Sequence, residues 1–251
     1  MSTPATMDRW VHSLRIESPN NGLSSPIVFS LTMSMKRRSQ TRKPLTTRGA
    51  ATRARIVDAA AQLVGDRGVA GTSLDDIMTA SETSKSQLYH YFADKDALIC
   101  AVVEQRAAAV IGFHESSLKT VRSLADLRNW RDIVVKLNRS RGGVGGCPIG
   151  SLASELSDRS EPARNRLADS LRAWEAHFVT AFEAMVERGE LSETANLQGL
   201  AISVMGALQG GLLLAQTTRT SEPLELSLDM AMSYVASYQS QLIHPVRKPV
   251  R

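Results

Sequence analysis

Helical periodicity is the feature that most constrains the fold of this 251-residue chain. From Arg48 onward, apolar residues recur three or four positions apart in almost every segment, as in the series Leu167, Leu171, Trp174 and Phe178. No segment alternates apolar and polar residues for long enough to predict a sheet, and no internal repeat is present. The sequence therefore predicts an all-α fold, with a small amino-terminal helical unit followed by a larger carboxy-terminal antiparallel bundle.

Positive charge is concentrated near the amino end. The chain has 30 Lys and Arg residues against 25 Asp and Glu, and eight of the basic residues lie between Lys36 and Arg55, where no acidic residue occurs. Residues 1–47 mix Ser, Thr, Pro and Asn without periodicity, which is typical of a disordered extension. Met33 and Met35 precede the basic run and leave the native start codon open. We expect a polyanion, either nucleic acid or an anionic membrane, to meet this basic end.

Composition excludes several classes of protein. The two cysteines, Cys100 and Cys147, are too few for a disulfide framework and have no zinc-ligand spacing, which favours a reducing, cytoplasmic compartment. We find no signal peptide, and no stretch approaches eighteen uncharged apolar residues, so no membrane span is predicted. The five histidines are scattered and no paired carboxylates accompany them. We therefore expect no catalytic site, no metal site and no cofactor.

Two consecutive helix starts carry the functional signal. Ser73 and Ser84 are each followed three residues later by Asp or Gln, the capping-box pattern, and residues 81–83 form a short turn between the two helices. The second helix begins with small polar and basic residues, while Leu88 and Phe92 are expected to pack back onto the core. Two short helices joined in this way predict a helix-turn-helix, whose second helix enters the DNA major groove.

Three motifs in this region resemble the TetR family of bacterial transcriptional regulators, over Arg48 to Glu104. The motifs are Gly71-Thr-Ser-Leu-Asp-Asp-Ile77, Ser84-Lys-Ser-Gln-Leu-Tyr-His-Tyr-Phe92 and Asp94-Lys-Asp-Ala-Leu98. Further on, Gly146-Cys-Pro-Ile-Gly-Ser-Leu-Ala-Ser-Glu155 and Ala207-Leu-Gln-Gly-Gly-Leu-Leu-Leu-Ala-Gln216 are similar to the carboxy-terminal domain of the LmrA/YxaF-like branch. The resemblance implies a DNA-binding domain over residues 48–95, a ligand-binding and dimerisation domain over 96–244, and a tail over 245–251.

The resemblance also implies which residues contact an operator in double-stranded DNA. Lys85, Ser86 and Gln87 would meet base edges, and Gln87 can pair bidentately with adenine. By the same resemblance, Thr72, Ser73, Tyr89, Tyr91 and Lys95 would hold phosphates. The residues themselves add Ser84, whose helix start offers backbone N–H groups to phosphate, and His90 on the polar face. The basic stretch that includes Arg42, Lys43 and Arg48 could lie along the DNA backbone or in a minor groove, or it could be a solvated segment. Packing roles for Tyr89, Tyr91 and His90 remain open alternatives. Glu82 stands where the family commonly has Gly in a left-handed turn, a conformation that costs a non-glycine residue about 1–2 kcal/mol.

Two segments, 197–214 and 224–242, are too apolar to stay exposed. The resemblance implies that they pair with their copies in a homodimer that reads a near-palindrome, whereas burial in a monomer core is the alternative. The candidates for a small-molecule pocket are large or polarisable side chains of the bundle: Phe113, His114, Trp130, Trp174, His177, Phe178, Met185 and Met205. The loop at Cys147 is expected to lie beside this pocket rather than to form a phosphate or nucleophile site. The sequence thus predicts a repressor, not an enzyme, released by a small aromatic or lipophilic ligand. A non-specific architectural DNA-binding protein and an all-α enzyme are the alternatives.

Overall fold

The computed structural model describes residues 45–240, and within this range the chain forms nine α-helices. They are α1 (Thr47–Arg67), α2 (Leu74–Ser81), α3 (Lys85–Tyr91), α4 (Lys95–Leu118), α5 (Leu124–Ser140), α6 (Pro148–Leu156), α7 (Glu161–Glu187), α8 (Leu197–Thr218) and α9 (Glu222–Ala236). No strand forms between residues 45 and 240. Within this range Leu191 and Gln239 form one isolated antiparallel β-bridge. The predicted all-α fold is confirmed.

Local capping explains where the helices begin. The side chains of Ser73 and Ser84 accept hydrogen bonds from the third residue of α2 and α3, and both predicted capping boxes are complete. Helices α6, α7 and α9 have proline in the first turn. Proline is tolerated there because the N–H groups of the first turn have no carbonyl partner within the helix. The predicted final apolar segment is longer than the observed helix, because α9 ends at Ala236 and residues 241–242 lie outside the described range.

Two hydrophobic cores form, and α4 contributes to both. Ile56, Ile77 and Leu88 are fully buried in the first core, which α1, α2 and α3 enclose. The second and larger core lies among α4 to α9 and includes most of the large aromatic side chains. Leu98 and Val102 of α4 pack in the first core, whereas residues further along α4 pack in the second. A change in the tilt of α4 therefore affects the packing of the amino-terminal helices directly.

Two of the described helices, α4 and α8, are long and apolar enough by length and composition to cross a membrane. The sequence prediction concerned unbroken runs of uncharged apolar residues, and polar residues interrupt both helices. Both helices contribute buried residues to the cores, as helices of globular proteins commonly do. Part of α8 is nevertheless exposed and apolar, and this face is described below.

Candidate DNA-binding interface and ligand cavity

Helix α3 separates an apolar inner face from a polar outer edge. Leu88 is completely buried and Phe92, at its carboxyl end, is 3% exposed, so both anchor the helix on the first core. Lys85, Ser86 and His90 are exposed, and Tyr89 is 45% exposed. This arrangement leaves donors, acceptors and one positive charge on the side that would face a major groove.

The turn before α3 is held by contacts from α1. Glu82 adopts the left-handed conformation with φ of 51° and ψ of 44°, as expected for the position that glycine commonly occupies. Arg55 donates from Nε to the Ser81 carbonyl over 2.8 Å, and the buried hydroxyls of Ser81 and Thr83 lie 2.8 Å apart. In the sequence, Arg55 is one of eight basic residues between Lys36 and Arg55, and nothing distinguishes it from the others as the residue that fixes the turn.

The side chains of Ser84 and Gln87 are engaged with each other's backbone. Gln87 Oε1 accepts from the Ser84 N–H over 2.9 Å, and Ser84 Oγ accepts from the Gln87 N–H over 3.2 Å. Both residues are exposed, so they stay on the polar edge. A bidentate bond between Gln87 and adenine would use the same Oε1, so the side chain has to leave its cap to form that bond.

Two predicted phosphate contacts have structural roles instead. Thr72 is 1% exposed, and its hydroxyl donates to the Gly68 carbonyl over 2.8 Å, so the prediction for its side chain is wrong. The Lys95 ammonium donates to the carbonyls of Val69 and Thr72 over 2.8 and 2.6 Å. Lys95 therefore fixes the α1–α2 turn and is not free to reach a phosphate in this conformation.

The remaining predicted contacts differ in accessibility. Ser73 and Arg48 are exposed, and Ser73 donates from Oγ to Asp76, which holds the pKa of that carboxyl below its usual value. Tyr91 is half-buried against the first core, with the His90 ring edge-on at 4.9 Å. Much of the Tyr91 side chain therefore packs within the protein, which agrees with the packing alternative for this residue. Arg42 and Lys43 lie outside the described residues.

Comparison with known proteins places this arrangement in a family. The model for "Bacterial regulatory proteins, tetR family" matches residues 56–102, which include the whole helix-turn-helix, and the model for "Tetracyclin repressor-like, C-terminal domain" matches residues 123–231. Together the two matches span more than half of the chain. The chain belongs to the TetR family of transcriptional regulators. As such it is a DNA-binding regulator and not an enzyme.

Individual relatives agree with this assignment. The uncharacterized HTH-type transcriptional regulator YxaF of Bacillus subtilis is 29% identical over 72% of this chain and 93% of its own length. The HTH-type transcriptional repressor NemR of Escherichia coli is 28% identical over 74% of this chain and 94% of its own length. Among solved structures, a TetR transcriptional regulator from Chloroflexus aurantiacus superposes with a TM-score of 0.66 at 26% identity, covering 77% of this chain and 98% of that one.

The carboxy-terminal domain of this TetR-family regulator contains a cavity of about 260 Å³. Its wall comes from α4, α5, the α5–α6 loop, α7 and α8. The lining residues are Ala109, Val110, Phe113, His114, Val134, Leu137, Asn138, Arg141, Val144, Gly146, Cys147, Pro148, Trp174, Leu208 and Leu212. The loop at Cys147 therefore borders the cavity. Its thiol accepts hydrogen bonds from the Gly150 N–H over 3.4 Å and from Gln209 Nε2 over 3.3 Å.

Three of the eight predicted pocket residues line this cavity: Phe113, His114 and Trp174. The other five do not: Trp130, His177, Phe178, Met185 and Met205. Trp130 and Phe178 pack edge to face behind the wall at 5.1 Å, and Met185 and Met205 are buried in the second core. Periodicity identifies a helix's inner face but not which inner positions border an empty space, so the sequence could not separate these five residues from the three in the wall.

Asn138 and Arg141 line the cavity and were missed. Asn138 occupies the buried face of α5, four residues after Val134, and is 6% exposed. A polar residue on the apolar face of an amphipathic helix was the sequence signal that could have found it.

His114 is held neutral in the wall of the cavity. Its Nδ1 accepts from Trp130 Nε1 over 3.2 Å, and its ring lies 4.5 Å from the Trp174 ring. Burial lowers the pKa of His114 to about 4. The side chain is therefore an uncharged imidazole at neutral pH, with its remaining proton on Nε2.

A carboxylate of α6 connects the two cores. Glu155 accepts from the backbone N–H groups of Val69 and Ala70 over 3.0 and 2.9 Å, in the turn between α1 and α2. Lys95 holds the carbonyl of Val69 from the other side. Since α6 begins at the edge of the cavity with Pro148 and contacts the DNA-binding helices through Glu155, it joins the two sites. In the sequence, Glu155 ends one of the motifs that resemble the family, and nothing in that motif indicates this contact.

Helices α8 and α9 expose an apolar surface, which we call the α8–α9 face. On α8 it consists of Ile202, Leu213 and Leu214, and on α9 of Leu226, Met230 and Tyr234, all 44–66% exposed. Gly206 and Gly210 lie between the apolar residues of α8, and a Cβ atom at either position would meet nothing within 4 Å. Gly211, in contrast, packs against Leu224 of the same protomer. The α8–α9 face therefore combines apolar side chains with room for close helix approach.

Proposed function

We propose that the protein is a homodimeric, ligand-responsive repressor that acts in the bacterial cytoplasm. A small aromatic or lipophilic effector would release it from a near-palindromic operator. The observation that carries the proposal is the division of α3 into buried Leu88 and Phe92 and an exposed polar edge. The repressor NemR, with similarity over most of its length, supports repression rather than activation.

The α8–α9 face supports the homodimer. Contiguous exposed apolar side chains are unusual on a monomeric surface and commonly mark an interface. One α3 helix spans only part of an operator, whereas two copies related by a two-fold axis read two half-sites. We propose that α8 and α9 pair with their copies, within the predicted segments 197–214 and 224–242. The residues of the second segment beyond 240 lie outside the described range.

The Glu155 contact supports communication between the cavity and DNA. An effector can shift the regulator only if it binds two conformations with different affinity. The cavity borders the beginning of α6, and Glu155 on the same helix is bonded to the α1–α2 turn. We propose that effector binding repositions α6, which moves this turn and changes the spacing of the two reading helices. The functional division then follows the predicted domains, 48–95 and 96–244.

Operator binding tests the proposal. DNase footprinting on the DNA upstream of the protein's own gene and its divergent neighbour should reveal a protected near-palindrome. Affinity for that sequence should exceed affinity for random DNA by roughly 10³ or more. Lys85→Ala should weaken operator binding by about ten-fold or more, since base contacts contribute about 1–3 kcal/mol each. Lys136→Ala, at an exposed lysine of α5, is the matched control and should bind normally.

Equal affinity for operator and random DNA would favour a non-specific architectural protein. A Lys85→Ala variant that binds as tightly as the Lys136→Ala control would contradict the assignment of α3 as the reading helix. In both variants circular dichroism should be unchanged, because both lysines are exposed.

Removing the Glu155 carboxylate should loosen the α1–α2 turn. In Glu155→Ala, the amide protons of Val69 and Ala70 should exchange with solvent at least about ten-fold faster, since hydrogen bonds to a charged group contribute about 1.5–3 kcal/mol. Hydrogen exchange followed by NMR measures this, and Asp158→Ala, at an exposed carboxylate just beyond α6, is the control. Unchanged exchange at both amides would show that Glu155 does not hold the turn.

A further inference from the structure

The side chain of Gln87 is held in one orientation by the capping box of α3. Its Oε1 accepts from the Ser84 N–H over 2.9 Å, and Ser84 Oγ accepts from the Gln87 N–H over 3.2 Å. The amide cannot be reversed in this bond, because the Ser84 N–H is a donor and only the oxygen end of the amide accepts. The cap therefore occupies Oε1, whereas the two N–H donors of Nε2 bond to no described residue.

Gln87 belongs to the polar edge of α3 that would face DNA. It is exposed, as are Lys85 and Ser86 before it, whereas Leu88 is fully buried in the first core. In a helix-turn-helix, the residues at the amino end of the second helix are those that contact base edges. The Nε2 donors therefore lie on the part of the chain that would meet the major groove.

Breaking the cap to release Oε1 is unfavourable for a helix as short as α3. The helix has seven residues, and a helix of this length depends on its caps and on tertiary contacts. The Ser84–Gln87 pair satisfies two backbone N–H groups at the helix start, which have no carbonyl partner within the helix. A base that bonds to Nε2 while Oε1 keeps its cap is therefore favoured over a base that requires Oε1.

The four bases differ in what they offer to a pair of donors. Guanine presents two adjacent acceptors in the major groove, O6 and N7, and a single lysine ammonium pairs with both in other protein–DNA complexes. Adenine and cytosine present an amino group, which would face Nε2 donor to donor, and thymine presents one acceptor beside a methyl group. Guanine is thus the base that can use both N–H groups of Nε2.

We propose that Gln87 recognises guanine by donating from Nε2 to O6 and N7, while Oε1 keeps its bond to the Ser84 N–H. The adenine contact expected from the sequence would instead break the capping box. Gln87 is then a specificity-determining residue whose preferred base is set by the cap of its own helix. This assignment relies on the proposed role of α3 as the helix that contacts bases.

Selection from DNA that is randomised around the footprinted half-sites tests the proposal. At one position of each half-site, the wild type should select guanine over adenine by at least about five-fold. Gln87→Glu keeps an acceptor for the Ser84 N–H, as glutamate does in capping boxes, but it replaces the Nε2 donors with a second acceptor. This variant should select cytosine at the same position, because a carboxylate accepts from the cytosine amino group.

A chemically modified operator tests the N7 acceptor directly. Replacing the selected guanine with 7-deazaguanine deletes N7 and should weaken wild-type binding by about five-fold, since one hydrogen bond is lost. Gln87→Ala should bind the two operators with affinities within about two-fold, because it has no side-chain donor to lose. Gln62→Glu, at an exposed glutamine of α1, makes the same change in charge as Gln87→Glu and is the matched control, which should keep the guanine preference.

Folding of the variants is measured separately from their base preference. Gln87→Glu should retain the circular dichroism and the urea midpoint of the wild type, because its cap remains. The proposal is overturned if the wild type selects another base at the position that depends on residue 87, or if no position depends on it. It is also overturned if Gln87→Glu keeps the guanine preference, or if 7-deazaguanine leaves wild-type binding unchanged. Operator footprinting and the effect of Lys85→Ala do not involve Gln87, so failure of this contact is distinguishable from failure of the proposed function.

Discussion

Replacing Leu226 and Met230 together by glutamate should convert the protein to a monomer. Both side chains are more than 60% exposed in the protomer and lie one turn apart on α9, within the α8–α9 face. Across a two-fold interface each glutamate is placed against the same apolar surface of the partner, so four carboxylates would be desolvated without partners. The protomer itself should fold normally, because neither residue belongs to its core.

Loss of the dimer should reduce operator affinity by at least about 100-fold, since the two half-sites are no longer bound by one linked molecule. Sedimentation equilibrium measures the oligomeric state, and gel-shift titration measures the affinity. Ile133→Glu introduces the same charge at a 49% exposed apolar residue of α5 and serves as the control. A double variant that remains dimeric, or a wild-type protein that is already monomeric, would contradict the assignment of the α8–α9 face.

Acidification from pH 7.5 to pH 5 should lower the free energy of unfolding by about 2 kcal/mol through His114 alone. Burial lowers the pKa of His114 to about 4 in the folded protein, whereas an unfolded histidine titrates near pH 6.5. Between these values the unfolded state binds a proton that the folded state does not. The contribution of neutral His114 to the free energy of unfolding is therefore complete above about pH 6.5, and it is lost progressively as the pH decreases towards 4.

Urea unfolding at a series of pH values and fixed protein concentration measures this dependence. His114→Gln keeps an acceptor for Trp130 Nε1 but cannot titrate, so its stability should change much less between pH 7.5 and 5. Asp76, Asp126 and Glu225 have lowered pKa values because they accept hydrogen bonds, and their contribution is lost at more acidic pH than this window. An equally steep pH dependence in His114→Gln would show that another group is responsible.

The local pattern of the sequence was sufficient to predict the helix-turn-helix. Ser73 and Ser84 begin helices because their hydroxyls accept the N–H groups of the first turn, an interaction that spans only three residues. Leu88 and Phe92 point inwards because helical spacing places them on one face. The exposed polar edge of α3 follows from the same spacing. The left-handed conformation of Glu82 was expected from the family resemblance, because the family commonly has glycine at this position.

Contacts between distant segments were decided by the tertiary structure. Thr72 and Lys95 were expected at phosphates. The Thr72 hydroxyl donates instead to the Gly68 carbonyl four residues away, whereas the Lys95 ammonium reaches the carbonyls of Val69 and Thr72 across 26 and 23 residues. Glu155 reaches Val69 and Ala70 across 86 and 85 residues of sequence, respectively.

The cavity shows the same division. Helical spacing placed Trp174 and Phe178 on one inner face, yet the packing of α4, α5, α7 and α8 determines that Trp174 borders the cavity and Phe178 does not. The helices, their caps, the helix-turn-helix and the family could be predicted from the sequence, because they depend on interactions within a few residues. The cavity and the Glu155 contact depend on how helices far apart in the chain pack, so they became visible in the folded structure alone.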